Sequence, residues 1–186
     1  LATGWHSNKF LHPVKDGVVL PILHLNGYKI ANPTVLDRIP QDELRSLMIG
    51  YGHNPRFFEA GEDEDHAEVH RRFAALVDSV LDEIAELKAA AAGENERRPR
   101  WPMIVFRTPK GWTGPANIDG KKTTGSWRAH QVPLASARDT PEHLQVLADW
   151  LASYRAGELF DANGKLDSTI AALAPAGHLR MSDNPH

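Results

Sequence analysis

The apolar residues fall into a few runs separated by helical periodicity. Val18-Val-Leu-Pro-Ile-Leu-His-Leu25 is a continuous apolar run of strand length. Such a run suits a strand buried on both faces, as in a parallel sheet. Pro21 cannot donate to a ladder and predicts an irregularity within it. Trp101-Pro-Met-Ile-Val-Phe106 is a second strand of the same kind, and Arg56–Ala60 a shorter one. Between them, residues 40–49 read as a short helix stopped by Gly50-Tyr51-Gly52. A long helix is predicted over 64–92, behind an acidic stretch from Gly61 to Asp65 that favours a helix N-terminus. Its expected buried stripe is His66, His70, Phe73, Val77, Val80, Ile84 and Leu87. Strands alternating with helices indicate an α/β fold, a mostly parallel sheet flanked by helices.

The ends of the chain read differently. Residues 4–11 predict one or two helical turns, and Lys15-Asp16-Gly17 a turn. Arg107 to Ser126 reads as a long Gly/Pro/Lys-rich loop without secondary structure, a feature that is usually functional or mobile. Thr140 is the expected cap of a helix with Pro141 at its first position. Leu144, Leu147, Trp150, Leu151 and Tyr154 would form its apolar side, and a last short helix is expected over 166–173. The opening, Leu1-Ala-Thr-Gly-Trp-His-Ser-Asn-Lys-Phe10, reads as the interior of a folded unit, and the chain is expected to be a fragment of a longer protein.

Composition narrows the function classes. The chain has 186 residues and a formal net charge of −3, so no global positive field exists to hold nucleic acid or an anionic membrane surface. No apolar run reaches the ~20 residues of a membrane span. With no cysteine there is no disulfide, thiolate metal site or cysteine nucleophile. A cytoplasmic protein without nucleic-acid or membrane partners is the expectation.

Several positions carry candidate chemistry, each with a plainer reading beside it. Asn26-Gly27-Tyr28 follows a buried strand, where ligands of open α/β sheets bind. It is either a simple turn or an oxygen donor set for Mg²⁺ with a phosphate-bearing cofactor. Lys110, between Pro109 and Gly111, could reach a phosphate or be surface charge; Lys121 and Lys122 read as surface charge. His130 and Gln131 stand at a loop exit, where a His can move protons near neutral pH. His24 reads as a hydrogen-bonded core histidine, and Trp112 and Trp127 as packing residues that could also stack a ligand. His66 and His70 have the i, i+4 spacing of two zinc ligands but lack an adjacent third ligand, so packing is favoured.

Longer stretches add a resemblance. Arg107-Thr-Pro-Lys-Gly-Trp-Thr-Gly-Pro115 and Gly125-Ser-Trp-Arg-Ala-His-Gln-Val-Pro-Leu134 resemble the signature of phosphoketolases. Leu1–Phe10, His24-Leu-Asn-Gly-Tyr-Lys-Ile-Ala-Asn-Pro-Thr34 and Asp65-His-Ala-Glu-Val-His-Arg-Arg-Phe73 are similar to the same family, so the resemblance runs the length of the chain. It implies a partial thiamine diphosphate-binding fold and an enzyme using thiamine diphosphate and Mg²⁺. Xylulose 5-phosphate and/or fructose 6-phosphate would be cleaved with inorganic phosphate to acetyl phosphate and an aldose phosphate. By the same resemblance Asn26 and Tyr28 (through its carbonyl) match metal ligands, and Ile30 lies in the adjoining cofactor turn. Lys110 matches a lysine near the diphosphate, and His130 and Gln131 the active-site pair. The family works as a homodimer or higher homo-oligomer. Its Gly-Asp-Gly half-motif, which carries the Asp metal ligand, is not in this sequence.

The resemblance divides the chain into 1–135, the C-terminal half of a diphosphate-binding domain, and 136–186, its helical end and the start of a linker. The isolated chain is expected to be inactive. The alternatives are a non-catalytic α/β interaction module derived from the family, and a metal-binding helical protein using His66 and His70.

Overall fold

The computed structural model describes residues 2–92, 98–130 and 133–180. The chain forms two compact units, Leu1–Pro133 and Leu134–His186.

The first unit is an α/β layer structure around a parallel three-stranded sheet. The strands are β1 (Ile22–Leu25), β2 (His53–Glu59) and β3 (Trp101–Arg107), in the order β1-β3-β2. β3 is the central strand, and every residue from Trp101 to Val105 is buried, as a continuous apolar run on an inner parallel strand should be. Pro102 is accommodated there for a geometric reason. The Ile104 N–H donates to the Pro21 carbonyl at 2.9 Å, so the even-numbered amides of β3 face β1. Pairing with β1 begins only at Ile104, and the missing donor of Pro102 deprives no partner.

The first predicted strand is corrected. Only Ile22–Leu25 is extended, and within it Ile22 and His24 are exposed. Among the described residues β1 pairs with β3 alone, and a strand with one neighbour and one covered face is not buried on both sides.

Two helices cover the sheet. On one face, Leu44 and Met48 of α2 (Gln41–Gly50) pack with Leu25, Met103 and Val105. On the other, α3 (His66–Ala91) sets Val69 against Phe58 and Ala60, with Phe73, Leu76, Phe106 and Trp112 around them. The Asp65 carboxylate caps α3, accepting from the Ala67 and Glu68 amides. The predicted stripe is wrong in its first turn: His66 and His70 are exposed and Val69 is the buried residue. That turn starts beside the carboxyl edge of the sheet, where it meets Trp112 of a loop. α1 (Val35–Arg38) is a single turn between β1 and α2.

The loop after β3 is not structureless. β4 (Asn117–Ile118) and β5 (Lys121–Lys122) form an antiparallel hairpin. Asp119 and Gly120 at its tip have φ of 51° and 69°, the paired positive angles of a tight hairpin turn, for which Asp-Gly is a favoured sequence.

The N-terminal 3-10 helix (Ala2–Lys9) is tied to the start of β2 by buried polar contacts. Asn8 Nδ2 donates to the Gly52 carbonyl at 3.1 Å, Lys9 Nζ to the Tyr51 carbonyl at 2.8 Å, and the His53 ring bonds the Trp5 carbonyl at 2.9 Å.

The second unit holds α4 (Pro141–Ser153) and α5 (Ser168–Ala171). Pro141 occupies the first helical turn as expected, but the Thr140 side chain makes no capping hydrogen bond. The apolar side of α4 is present, yet Leu144, Leu151 and Tyr154 are exposed. No helix among the described residues is long and apolar enough to cross a membrane.

Burial holds the imidazole of His53 below its ordinary value of 6.5, and partial desolvation lowers that of His24, whose ring lies against Phe106 and Thr108 although the residue is exposed. The unfolded chain therefore binds more protons below 6.5, and this contribution to stability is complete above that pH and lost as pH falls. Thermal denaturation should show a midpoint that drops on acidification through this window. His53→Gln should flatten the drop without abolishing it, because His24 remains; an unchanged profile would remove His53 as its source.

Candidate functional site

β1, β2 and β3 end level, with Leu25 and Glu59 both in register with Arg107. Backbone bonds extend the alignment past the strands. The Thr108 amide donates to the Leu25 carbonyl at 3.2 Å, and the Ala60 amide to the Arg107 carbonyl at 3.0 Å. Three loops thus leave one edge, around a pocket of about 280 Å³ whose lining includes Asn26, Tyr28, Asp37, Glu59, Arg107 and Thr108. A pocket outside the carboxyl ends of parallel strands is the usual ligand position in open α/β sheets.

The first loop turns at Gly27, whose φ of 86° suits glycine. A side-chain carbon there would also lie 3.4 Å from Asp37 Oδ2. The Tyr28 amide donates to Asn26 Oδ1 at 3.2 Å, and the Thr34 amide closes the loop on the Gly27 carbonyl at 3.0 Å. These bonds orient the Asn26 side chain and leave the Tyr28 carbonyl to accept from Lys110 Nζ at 3.2 Å. Lys110 is 8% exposed and anchored through its own carbonyl, which accepts from the Gly125 amide at 2.7 Å. Asn26, Tyr28 and Lys110, predicted from separate parts of the sequence, therefore converge.

The other predicted site residues do not join them. Ile30 is 64% exposed and lies outside the lining of the pocket. His130 is exposed at the end of the 3-10 helix Trp127–Ala129. Gln131 lies outside the described residues. His66 and His70 set their rings edge-on to Trp112, at centroid distances of 5.4 and 6.3 Å. Among the described residues no group of three His, Cys, Asp or Glu could hold a metal. The geometry thus places both imidazoles in edge-on ring contact with Trp112. Trp127 lies beneath the Arg128 guanidinium, 4.8 Å from its ring centre. Lys122 is surface charge as expected and pairs with Glu62 at 2.8 Å, which raises its pKa.

Sequence reasoning missed Asp37, Glu59, Arg107 and Thr108. Glu59 and Arg107 are the last residues of their strands, a signal that could have been used. Asp37 comes from the single turn α1 and had no such signal. Arg107 Nη1 is 3.7 Å from Asp37 Oδ1. His24 is exposed rather than in the core, with its Nε2 bonded to Thr108 Oγ1 at 2.6 Å.

The donor set can be tested against a divalent cation. Asn26 Oδ1 and the Tyr28 carbonyl are uncharged oxygens, the hard donors Mg²⁺ prefers. The Lys110 ammonium already stands on one of them, so that oxygen is presented to a positive charge. Two such oxygens do not complete a shell, and they fit a cation that brings phosphate oxygens with it.

Fold and pocket together define an α/β chain with a pocket at the carboxyl edge of a parallel sheet. The family model described as the XFP N-terminal domain matches residues 1–186. The chain is 58% identical over 187 residues to a probable phosphoketolase of Bifidobacterium animalis subsp. lactis (strain AD011). It is 61% identical over 188 residues to one of Rhodopseudomonas palustris (strain TIE-1), and 58% over 187 to one of Mycobacterium avium (strain 104). Each match covers 100% of this chain and 23% of the relative, so the chain spans about a quarter of the length of these curated relatives. The chain belongs to the phosphoketolase family, through its XFP N-terminal domain.

Gly111 links Lys110 to the His130 segment. Its φ is 72°, and a side-chain carbon would come 2.6 Å from Ala129 Cβ. Gly111→Ala should destabilise the chain by about 1–3 kcal/mol, readable as a lowered denaturation midpoint. An unshifted midpoint would mean that the two segments do not pack as described.

Proposed function

We propose that the chain is part of a thiamine diphosphate- and Mg²⁺-dependent phosphoketolase. The enzyme cleaves xylulose 5-phosphate and/or fructose 6-phosphate with inorganic phosphate, giving acetyl phosphate and an aldose phosphate. The observation that carries the reading is the meeting of Lys110 Nζ with the Tyr28 carbonyl beside Asn26 at the sheet edge. It is supported by the family membership of the chain.

In this reading Asn26 Oδ1 and the Tyr28 carbonyl hold Mg²⁺, and Lys110 neutralises diphosphate charge. Ile30 borders the cofactor from the adjoining turn. Thiamine diphosphate, when bound, supplies the electron sink for breaking a carbon–carbon bond. His130 and Gln131 would act on the reacting carbons, His130 moving protons and Gln131 stabilising a hydroxyl or oxyanion. Residues 1–135 belong to the diphosphate-binding domain and 136–186 to its helical end and the start of a linker, a division supported by the unit boundary at Pro133. The working enzyme is a cytoplasmic homodimer or higher homo-oligomer. The 186 residues alone are inactive, because the metal donors they supply carry no charge.

The test is made in a full-length phosphoketolase carrying this segment. His130→Ala should lower kcat by ~10²–10⁴ and leave cofactor affinity intact, as loss of an acid–base group does. Asn26→Ala should raise the Mg²⁺ concentration needed for half-maximal activity. Wild-type turnover in the first variant, or an unchanged Mg²⁺ requirement in the second, would overturn the respective role.

A further inference from the structure

The pocket contains a guanidinium to which neither the sequence nor the family resemblance gives a role. Arg107 is the last residue of β3 and lines the pocket. Its side chain is 29% exposed. Among the described residues its one ion pair is loose, a single contact of 3.7 Å to Asp37 Oδ1, beyond hydrogen-bond distance. Lys110, by contrast, is buried and its ammonium is bonded to a carbonyl. Of the two cations, Arg107 is the one with unused donors on the open side of the site. Its planar fork also suits the oxygens of a phosphate better than an ammonium does.

We propose that Arg107 is an anion-binding residue of the pocket. It donates to a phosphate oxygen of a diphosphate-bearing ligand and exchanges its loose contact with Asp37 for that bond. The inference rests on the proposed function, which puts a diphosphate in this pocket. Asp37 is then a competitor for the guanidinium rather than its structural partner. Glu59, level with Arg107 across the strand gap, is a second carboxylate in the lining. The lining therefore holds two carboxylates against one guanidinium, with Lys110 outside it on the Tyr28 carbonyl, and a diphosphate needs the guanidinium released as well as a divalent cation beside it.

The experiment measures dissociation constants in a full-length phosphoketolase carrying this segment, with Mg²⁺ present. The ligands are thiamine diphosphate, inorganic pyrophosphate and unphosphorylated thiamine. Arg107→Met should weaken the two diphosphates by about tenfold, the loss of one charge-assisted hydrogen bond, and leave thiamine unchanged. Arg107→Lys should recover part of the loss, and Asp37→Asn should tighten the diphosphates. Equal weakening of all three ligands by Arg107→Met, or matching losses from Arg107→Met and Asp37→Asn, would mean a structural ion pair and overturn the inference. Wild-type affinity in Arg107→Met would overturn it while leaving the proposed function standing. Failure of the unsubstituted protein to bind either diphosphate would overturn both.

Discussion

The site depends on how β3 ends. β3 is buried between its two neighbours, so its register fixes theirs, and its last residues also hold the chain beyond them. The Arg107 carbonyl takes the amide of Ala60, and the Thr108 amide reaches the Leu25 carbonyl. These two bonds set where the Asn26 loop and the Gly61 loop leave the sheet. Lys110 follows two residues later on the same strand exit, which is why its ammonium finds the Tyr28 carbonyl across 82 positions of sequence. A shift of β3 by one residue would turn every side chain to the opposite face, and would part Lys110 from the loop it now holds.

The strong periodic signals were legible. The buried central strand, α2 and α3 follow from apolar spacing, and the Asp65 cap from an acidic residue ahead of a helix. The misreadings have physical causes. Val18–Leu25 has the composition of an inner strand, but only Ile22–Leu25 is extended and among the described residues it pairs with β3 alone; composition does not report how many neighbours a strand has. The long helix is legible, but in its first turn Val69 faces the sheet while His66 and His70 meet a loop tryptophan. There the 3.6-residue period still holds while the partner has changed. The Asp119-Gly120 hairpin was missed because its strands are only two residues each, too short for alternation to show.

The site was legible in part, and for a similar reason. Asn26, Tyr28 and Lys110 stand in short loops whose glycines and prolines mark them. Their meeting, however, is a product of strand register, which no local pattern encodes. Asp37 and Arg107 are ordinary charged residues in sequence; only the level ends of three strands make them neighbours. His130 is tied to the lysine loop through Gly111 and Ala129, a contact that leaves no periodic trace.

Charge sets the last constraint on what the pocket can hold. Its metal-type donors are neutral, and its lining carries Arg107 against Asp37 and Glu59, with the Lys110 ammonium outside the lining on the Tyr28 carbonyl. A bare divalent cation would gain little there, since two uncharged oxygens replace only part of its hydration shell. A bare diphosphate would meet two carboxylates along with its cations. The pair together meets neither obstacle: the cation completes its shell with phosphate oxygens, and the anion gains a divalent charge beside the two side-chain cations. Under the proposed function, the pocket therefore suits a metal–diphosphate unit entering as one ligand better than either component alone.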